Sequence, residues 1–348
     1  MGWLKLKEAG MKDGHIRKLM NIYNRYDELF LEENFRLFNS ELKRNLEKSK
    51  NINLDSKMEF YKRNKVRIID ANSQGYPEKL KELTDYPLFL YVKGKELKKG
   101  LNDERRNIAV VGTRKVTKFG KSACEKIVRE LLEYEVTLIS GLAEGIDTVA
   151  LSASVEKDGS AIAVVGSGLD IVYPYENKIL WEKISENGIL ISEHPLGTKP
   201  LKWNFPKRNR IIAALSDGIL IAESFKSGGA LITAELGFIM DKEIFAVPGF
   251  INYPSFEGCN NLIKENKAKL VTTGEDIARE FLWDLKNKKN KTDKLTYEEK
   301  IVFLQLSEEL GLEEIMKKIK NFNMNSNNND KNRDTLFENE FRPEENSI

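Results

Sequence analysis

Residues 108–117 read IAVVGTRKVT, an apolar run that ends in a glycine and a basic, hydroxyl-containing turn. Because no polar residue interrupts the apolar run, it predicts a strand that is covered on both faces of a sheet. Gly112 marks the turn, and a longer stretch with helical spacing comes next. A buried strand, a glycine turn and a helix in this order are typical of a parallel α/β sheet.

The same unit recurs through the middle of the chain. Six further apolar runs of strand length occur at residues 136–139, 161–165, 189–191, 219–222, 244–247 and 268–271. Stretches with helical spacing separate them, so strands and helices alternate and the crossovers should be right-handed. The sequence therefore predicts an α/β fold with a Rossmann-like, doubly wound and mostly parallel sheet.

The flanking segments predict a small N-terminal helical domain and a short C-terminal helical unit. In the first segment, Leu19, Ile22, Tyr23 and Tyr26 recur at helical spacing. The predicted organisation is a helical domain over 1–62, the Rossmann-like domain over 63–284, a linker over 285–294, a helical unit over 295–320 and a disordered tail over 321–348. The tail is rich in asparagine and too polar to bury the apolar area that would offset its ordering entropy.

Composition narrows the classes of function. The chain has 348 residues and a formal net charge of only +2, so attraction to an anionic polymer must come from a local patch. Cys124 and Cys259 lack the CxxC spacing of a zinc site and do not make a disulfide scaffold. The first residues lack an apolar signal segment, and no apolar run approaches the ~20 residues that span a bilayer. We expect a cytoplasmic protein without metal, cofactor or membrane association.

Small and polar residues follow the predicted strands, at the edge of a parallel sheet where ligands bind. Glycine lets a backbone approach a ligand closely, and the helix after each turn should direct its free N–H groups and positive dipole end at the same place, which suits a phosphate. The candidate residues in these turns are Gly112, Thr113, Arg114, Lys115, Ser140, Gly141, Gly166, Ser167, Gly168, Ser227, Gly228 and Gly229. Each turn alone is compatible with an ordinary strand-to-helix connection, but their repetition favours a common ligand groove.

A basic and aromatic segment lies between two of the predicted strands. Residues 199–210 read KPLKWNFPKRNR, with five cations and two aromatic residues. Cations meet phosphates and aromatic rings stack on bases. The candidates for such contacts are Lys202, Phe205, Arg208, Asn209 and Arg210. The alternative is a solvated basic loop whose aromatic side chains pack into the core, and the segment alone does not decide between the two.

No catalytic group of residues emerges from the spacing of the titratable side chains. We interpret Asp147 as a residue that holds its own loop, and His194 is a single histidine at a strand end. No triad of Cys, His and Asp can be assembled from the sequence. We therefore assign no catalytic residue and expect that the protein is not an enzyme.

Seven segments of the chain, taken in order, resemble the DprA/Smf (DNA-processing protein A) family: GTR, SGLAEGID, GSGLDIVYPYEN, ISEHPLG, FPKRNRIIAALS, ESFKSGGALITA and AVPG. The resemblance implies a Rossmann-like core that binds single-stranded DNA without strong sequence preference and uses no metal or redox cofactor. It also implies help in loading the RecA recombinase, in natural transformation and recombination, and a homodimer. The matching positions at the DNA are Arg114, Lys202, Phe205, Arg208 and Arg210.

The chain departs from the family pattern at several positions. Thr113 stands where serine is common, and Leu151 stands near the place where the family usually has a histidine. The N-terminal helices resemble a sterile-alpha-motif-like domain, and residues 295–300 look like the start of the family's winged helix.

Two other functions are compatible with the pattern. Related Rossmann-like enzymes cleave nucleoside monophosphates at the glycosidic bond, and SGGALITAE at residues 227–235 faintly resembles their PGGxGTxxE segment, although the proline is absent. The groove would also suit a mononucleotide, as in a nucleotide-sensing module that does not bind DNA.

Overall fold

The computed structural model describes residues 2–95, 106–157 and 161–283. The chain from Met1 to Trp283 forms one compact unit. The predicted linker at 285–294, the helical unit at 295–320 and the asparagine-rich tail at 321–348 lie outside the described residues. The domain boundaries stay predictions.

Helices occupy the N-terminal part of the chain and pack around a core of their own. Their bounds are α1 Gly2–Glu8, α2 Asp13–Ile22, α3 Glu32–Leu37, α4 Ser40–Lys50 and α5 Leu54–Arg63. Leu6, Ile16, Leu29 and Leu46 are fully buried in this core, which also takes in Phe89 from the sheet. Apolar contact therefore seats the helical segment on the sheet.

The described residues form a nine-stranded sheet. Its strands are β1 Val66–Asp70, β2 Phe89–Gly94, β3 Arg106–Val111, β4 Val136–Ser140, β5 Ala161–Val165, β6 Ile189–Ser192, β7 Gly218–Ile221, β8 Glu243–Ala246 and β9 Lys269–Leu270. They lie in the order β1-β2-β6-β5-β4-β3-β7-β8-β9. The pairs β1–β2 and β2–β6 are antiparallel, and the other pairs are parallel. The predicted α/β fold with a Rossmann-like, mostly parallel sheet is confirmed.

Helices cover both faces of the sheet, as continuous apolar strands require. Their bounds are α6 Lys118–Leu132, α7 Ile146–Val155, α8 Lys178–Asn187, α9 Asn204–Leu215, α10 Gly229–Ile239, α11 Glu257–Lys264 and α12 Gly274–Glu280. Ile162 and Val164 of β5 pack in the core beneath α9 and α10, whereas Ala161 and Ala163 pack in the core beneath α7 and α8. Because side chains alternate along a strand, this division shows a doubly wound sheet.

The strand order reverses at β3. From β3 the strands β4, β5 and β6 lie to one side, and β7, β8 and β9 lie to the other. In an open α/β sheet, ligands bind in the crevice at the carboxyl ends of the strands beside such a reversal. The turns from β3 into α6 and from β7 into α10 lie at this position.

Candidate nucleic-acid interface

A cavity of about 500 Å³ opens beside the reversal of the strand order. The turn after β3, the segment that leads into α9 and the first turn of α10 line it. Of the residues predicted from the sequence, the cavity brings together Gly112, Thr113, Arg114, Lys202, Phe205, Arg208, Asn209, Gly228 and Gly229. The predicted residues of the turn after β3, of the segment before and within α9, and of the start of α10 therefore share one cavity, whereas those after β4 and β5 do not line it.

An exposed cation lies over an aromatic ring in this cavity. The Cζ atom of Arg114 is 5.9 Å from the centroid of the Phe205 ring. The ring of Tyr173 lies beside Phe205, with centroids 5.4 Å apart and an interplanar angle of 40°. Phe205 is seated over Gly166, where a Cβ atom would come within 3.3 Å of the ring. Lys202 is exposed on the same wall, so two cations and two aromatic rings face one space.

Arg208 is the buried counterpart of these exposed cations. Its Nη1 donates to the carbonyl oxygens of Gly141, at 2.6 Å, and Val164. Burial lowers the pKa of Arg208 to about 10, against the opposing effect of Asp147, so the guanidinium stays charged at neutral pH. A Cβ atom on Gly141 would lie 2.5 Å from the guanidinium, which explains the glycine at this turn. Arg208 therefore holds the floor of the cavity and adds positive charge beneath it.

Asp147 holds the loop after β4. Its Oδ2 accepts hydrogen bonds from the backbone N–H groups of Gly141, at 3.0 Å, and Ala143, at 3.3 Å. Burial raises the pKa of Asp147, and the charge of Arg208 together with these hydrogen bonds opposes that rise. Among the described residues that line the cavity, Asp147 is the one carboxylate. Its Oδ2 and its charge are therefore engaged by the protein itself.

The two helices beside the reversal differ in what their N-termini offer. At α6, Oε2 of the buried Glu223 accepts a hydrogen bond from the backbone N–H of Thr117 at 2.9 Å. The expectation that this helix presents its positive end to a ligand is therefore wrong, because a carboxylate already occupies that end. By contrast, α10 begins after Gly228 with no side-chain cap and no acidic residue in its first turn. Gly228 and Gly229 line the cavity, so the uncapped start of α10 lies at its wall, where a helix end of this kind would suit an anion.

Eight predicted residues do not line the cavity: Gly141, Gly166, Arg210, Lys115, Ser140, Ser167, Gly168 and Ser227. The hydroxyls of Ser140 and Ser167 donate to backbone carbonyls at 2.6 and 3.3 Å, and the N–H of Gly168 donates to another at 2.9 Å. These three residues are buried and brace the loops behind the site. Lys115 and Ser227 are exposed but do not line the cavity.

Arg210 lies apart from the cavity. Its Nε donates to Oδ2 of Asp85 and its Nη2 donates to Oε2 of Glu193, both at 2.9 Å. The Arg210 side chain is only 9% exposed, and that of Glu193 only 1%. Because its guanidinium is committed to these carboxylates, we leave Arg210 out of the proposed interface.

Some lining residues were not among the predicted ones. Tyr173 was visible as an aromatic residue in the turn after β5, and that position is a signal that could have identified it. Ile232 and Thr233 line the cavity from within α10, and only the fold places them there. The hydroxyl of Thr233 is buried without a hydrogen-bond partner.

Residues 2–95, 106–157 and 161–283 contain neither a cluster of metal ligands nor a helix suited to span a membrane. In those ranges no group of three or more His, Cys, Asp or Glu side chains is placed to hold a metal ion. None of the helices described there is both long enough and apolar enough to cross a bilayer.

The chain is similar throughout its sheet region to proteins of one family. The family model for DNA recombination-mediator protein A matches residues 67–282. The DNA processing protein DprA of Streptococcus pneumoniae is 36% identical over 295 residues, which make up 80% of this chain and 96% of that relative.

Solved structures agree with the sequence match. The X-ray structure of DNA processing protein A from Streptococcus pneumoniae aligns with a TM-score of 0.70 at 34% identity, over 82% of this chain and 98% of that one. A structure of DNA processing protein A from Helicobacter pylori, described for its single-stranded DNA binding mode, aligns with a TM-score of 0.56 at 27% identity, over 62% of this chain and 95% of that one. The resemblance to DprA/Smf proteins is thereby confirmed, and the chain belongs to the DNA recombination-mediator protein A family.

Proposed function

We propose that this protein binds single-stranded DNA in the cavity beside the reversal of the strand order. One observation carries the proposal: exposed cations, the uncapped end of α10 and the Phe205–Tyr173 ring pair all line the same space. Cations and backbone amides bind phosphates, whereas aromatic rings stack on bases of any sequence. The combination suits an unpaired polynucleotide with little sequence preference.

The ring pair favours a single strand over a duplex. A base must leave its stack before its face can rest on a protein side chain, which is costly in a duplex and cheap in a single strand. The Helicobacter pylori relative, whose structure is described for its single-stranded DNA binding mode, supports the same assignment by family membership.

The proposal extends to a role as a recombination mediator. The family resemblance implies assistance in loading RecA onto DNA, in DNA uptake, transformation and recombination, and the family's description as a recombination mediator supports it. A homodimer is also proposed. Phe238 and Ile239 on α10 and Leu270 on the edge strand β9 are exposed apolar side chains of the kind that interfaces bury.

Absence of catalysis remains a prediction. Asp147 is the carboxylate on the described cavity wall, and two backbone N–H groups and the Arg208 charge already engage it. A general acid or base must reach a proton on the substrate. Incubation with nucleoside monophosphates should therefore release no free base.

Replacing Phe205 by alanine is expected to weaken binding of oligo(dT) by roughly 5- to 150-fold, the equivalent of ~1–3 kcal/mol for one stacked base. Fluorescence anisotropy with a labelled oligonucleotide measures the loss. The matched control is Phe205→Tyr, which keeps the aromatic face and should bind nearly as the unaltered protein does. Thermal unfolding of both variants checks that Gly166 and Tyr173 still pack. Equal affinities of the alanine and tyrosine variants for oligo(dT) would show that Phe205 does not stack on a base.

A competition experiment separates the proposed function from nucleotide sensing. The labelled oligo(dT) complex is titrated with thymidine monophosphate. If the polynucleotide is the ligand, a mononucleotide should displace it only at concentrations far above those at which unlabelled oligo(dT) does, because it offers a single phosphate. Displacement at comparable concentrations would favour the sensing function instead.

Replacing Arg210 by glutamine is expected to lower the free energy of unfolding by roughly 2 kcal/mol, because buried Glu193 loses its closest compensating charge. Part of the compensation remains, since Nζ of Lys207 lies 3.2 Å from the same carboxylate. Urea denaturation measures the loss. The affinity of the folded variant for oligo(dT) should not change, because Arg210 does not line the cavity. A variant that is as stable as the unaltered protein but binds oligo(dT) more weakly would indicate that Arg210 contacts the DNA.

A further inference from the structure

A second cavity of about 730 Å³ lies on the other side of the segment that leads into α9. Residues from α1, the α1–α2 turn and α5 line one side of it, and residues 194–198 line another. It therefore lies between the N-terminal helices and the sheet domain, and it shares a wall with the first cavity.

The shared wall is the segment 200–207. Lys202 and Phe205 line the first cavity, whereas Trp203 and Lys207 line the second. Two residues of chain span at most about 7 Å, so Trp203 and Phe205 lie within the reach of adjacent nucleotides. A strand that leaves the first cavity over this segment would enter the second.

Trp203 is the feature of the basic segment that the first cavity does not use. The residue is 69% exposed although it lines the second cavity. In the described part of the chain no aromatic ring or cation lies over it. An exposed indole beside cations is the arrangement with which proteins stack an unpaired base.

The charge of the second cavity is positive. Lys7, Lys12, Lys57 and Lys207 line it together with the carboxylates of Glu8 and Asp13, a net charge of +2 on the lining residues, while the buried Glu193 lies behind Lys207. Burial lowers the pKa of His194 to about 4, so this lining residue is neutral at neutral pH and adds no charge.

Three of these lysines form ion pairs, and two of the three keep exposed side chains. Lys7 is buried against Asp13, at 2.8 Å. Lys57 pairs with Glu8 at 3.1 Å and Lys207 pairs with Glu193 at 3.2 Å, and their side chains stay 40% and 48% exposed. Lys12 is exposed. Lys12, Lys57 and Lys207 can therefore meet phosphates.

We propose that the second cavity is a continuation site for the same DNA strand, in which Trp203 stacks a base while Lys12, Lys57 and Lys207 bind phosphates. The inference rests on the proposed function of the first cavity. It gives the N-terminal helices a direct part in binding, because Lys12 and Lys57 belong to that segment. A strand is favoured over an acidic peptide because the exposed ring and the shared wall continue a site built for unpaired nucleotides.

The test compares oligo(dT) of two lengths by fluorescence anisotropy, one of about four nucleotides and one of about sixteen, within the range of site sizes for single-strand binders. Trp203→Ala in the full chain is expected to weaken the affinity for the long oligonucleotide by roughly 5- to 150-fold and to leave the affinity for the short one unchanged. Lys12→Gln should flatten the salt dependence for the long one alone. The matched control is Phe250→Ala, which removes an exposed aromatic side chain outside both cavities. It should not change the affinity for either oligonucleotide.

The outcomes separate the two proposals. If the long oligonucleotide binds Trp203→Ala as it binds the unaltered protein, while Arg114→Ala weakens both lengths, the continuation site is refuted and the first cavity stands. If the unaltered protein binds neither length, both proposals fall. Unchanged DNA binding together with capture of polyglutamate that Trp203→Ala abolishes would overturn the continuation site in favour of an acidic protein partner.

Discussion

Arg208→Met is expected to lower the free energy of unfolding by about 3 kcal/mol and with it the fraction of protein able to bind DNA. The guanidinium is buried and donates to the carbonyl oxygens of Gly141 and Val164. Methionine fills a similar volume but leaves both acceptors without that donor. It also removes the positive charge that stabilises the buried carboxylate of Asp147 and so limits the rise of its pKa. A buried charge that loses its compensation is among the costliest single changes.

Urea denaturation measures this loss as a lower midpoint at an unchanged slope. Adding Asp147→Asn to Arg208→Met should recover part of the stability, because the uncompensated charge is then gone. The matched control is Asn209→Ala, since the Asn209 side chain accepts from Nε of Arg208 at 3.2 Å; the expected cost is only about 1 kcal/mol. A midpoint for Arg208→Met equal to that of this control would contradict the structural role of Arg208.

Arg114→Ala is expected to weaken oligonucleotide binding about tenfold at moderate salt, whatever the sequence of the DNA. Arg114 is exposed on the cavity wall over the Phe205 ring and holds no structural contact comparable to that of Arg208. Unfolding should therefore be unaffected. Loss of one phosphate contact should also reduce the slope of log affinity against log salt by about 0.7.

Anisotropy titrations at several salt concentrations give both quantities. Lys115→Ala is the control, because Lys115 is the next residue, carries the same charge and does not line the cavity. Arg114→Lys should keep the salt slope and lose only part of the affinity, since the charge stays and the planar fork is lost. If the effects of Arg114→Ala and Lys115→Ala are the same, binding depends on general positive charge and not on the cavity.

The sheet could be predicted because its strands are buried on both faces. The run at 108–111 lies in β3, and the run at 161–165 coincides with β5, since such strands leave continuous apolar sequence. The two-residue strand β9 shows the limit of this signal: the run at 268–271 is apolar at its ends, but only Lys269–Leu270 pairs with β8.

The site could be predicted less completely, because contacts between distant residues decide it. Arg208 and Arg210 look equivalent in sequence. Residues two positions apart on an α-helix point about 200° away from each other around its axis, so the two side chains cannot face the same cavity. Glu223 lies two residues after the end of β7, and its carboxylate accepts a hydrogen bond from Thr117 at the start of α6. No local sequence pattern indicates this contact. Arg114 and Phe205 line one cavity because the turn after a buried strand and the start of a helix both lie at the carboxyl edge of the sheet; their contact with DNA stays a prediction.

The central claim, that the cavity beside β3 and β7 accepts an unpaired strand, is tested most directly by titrating the full chain with a labelled single strand and with a duplex of equal length at two salt concentrations. We expect the single strand to bind more tightly at both, with the difference growing at high salt because stacking on Phe205 is not screened as phosphate contacts are. Equal affinity for the duplex at both salt concentrations would contradict the account.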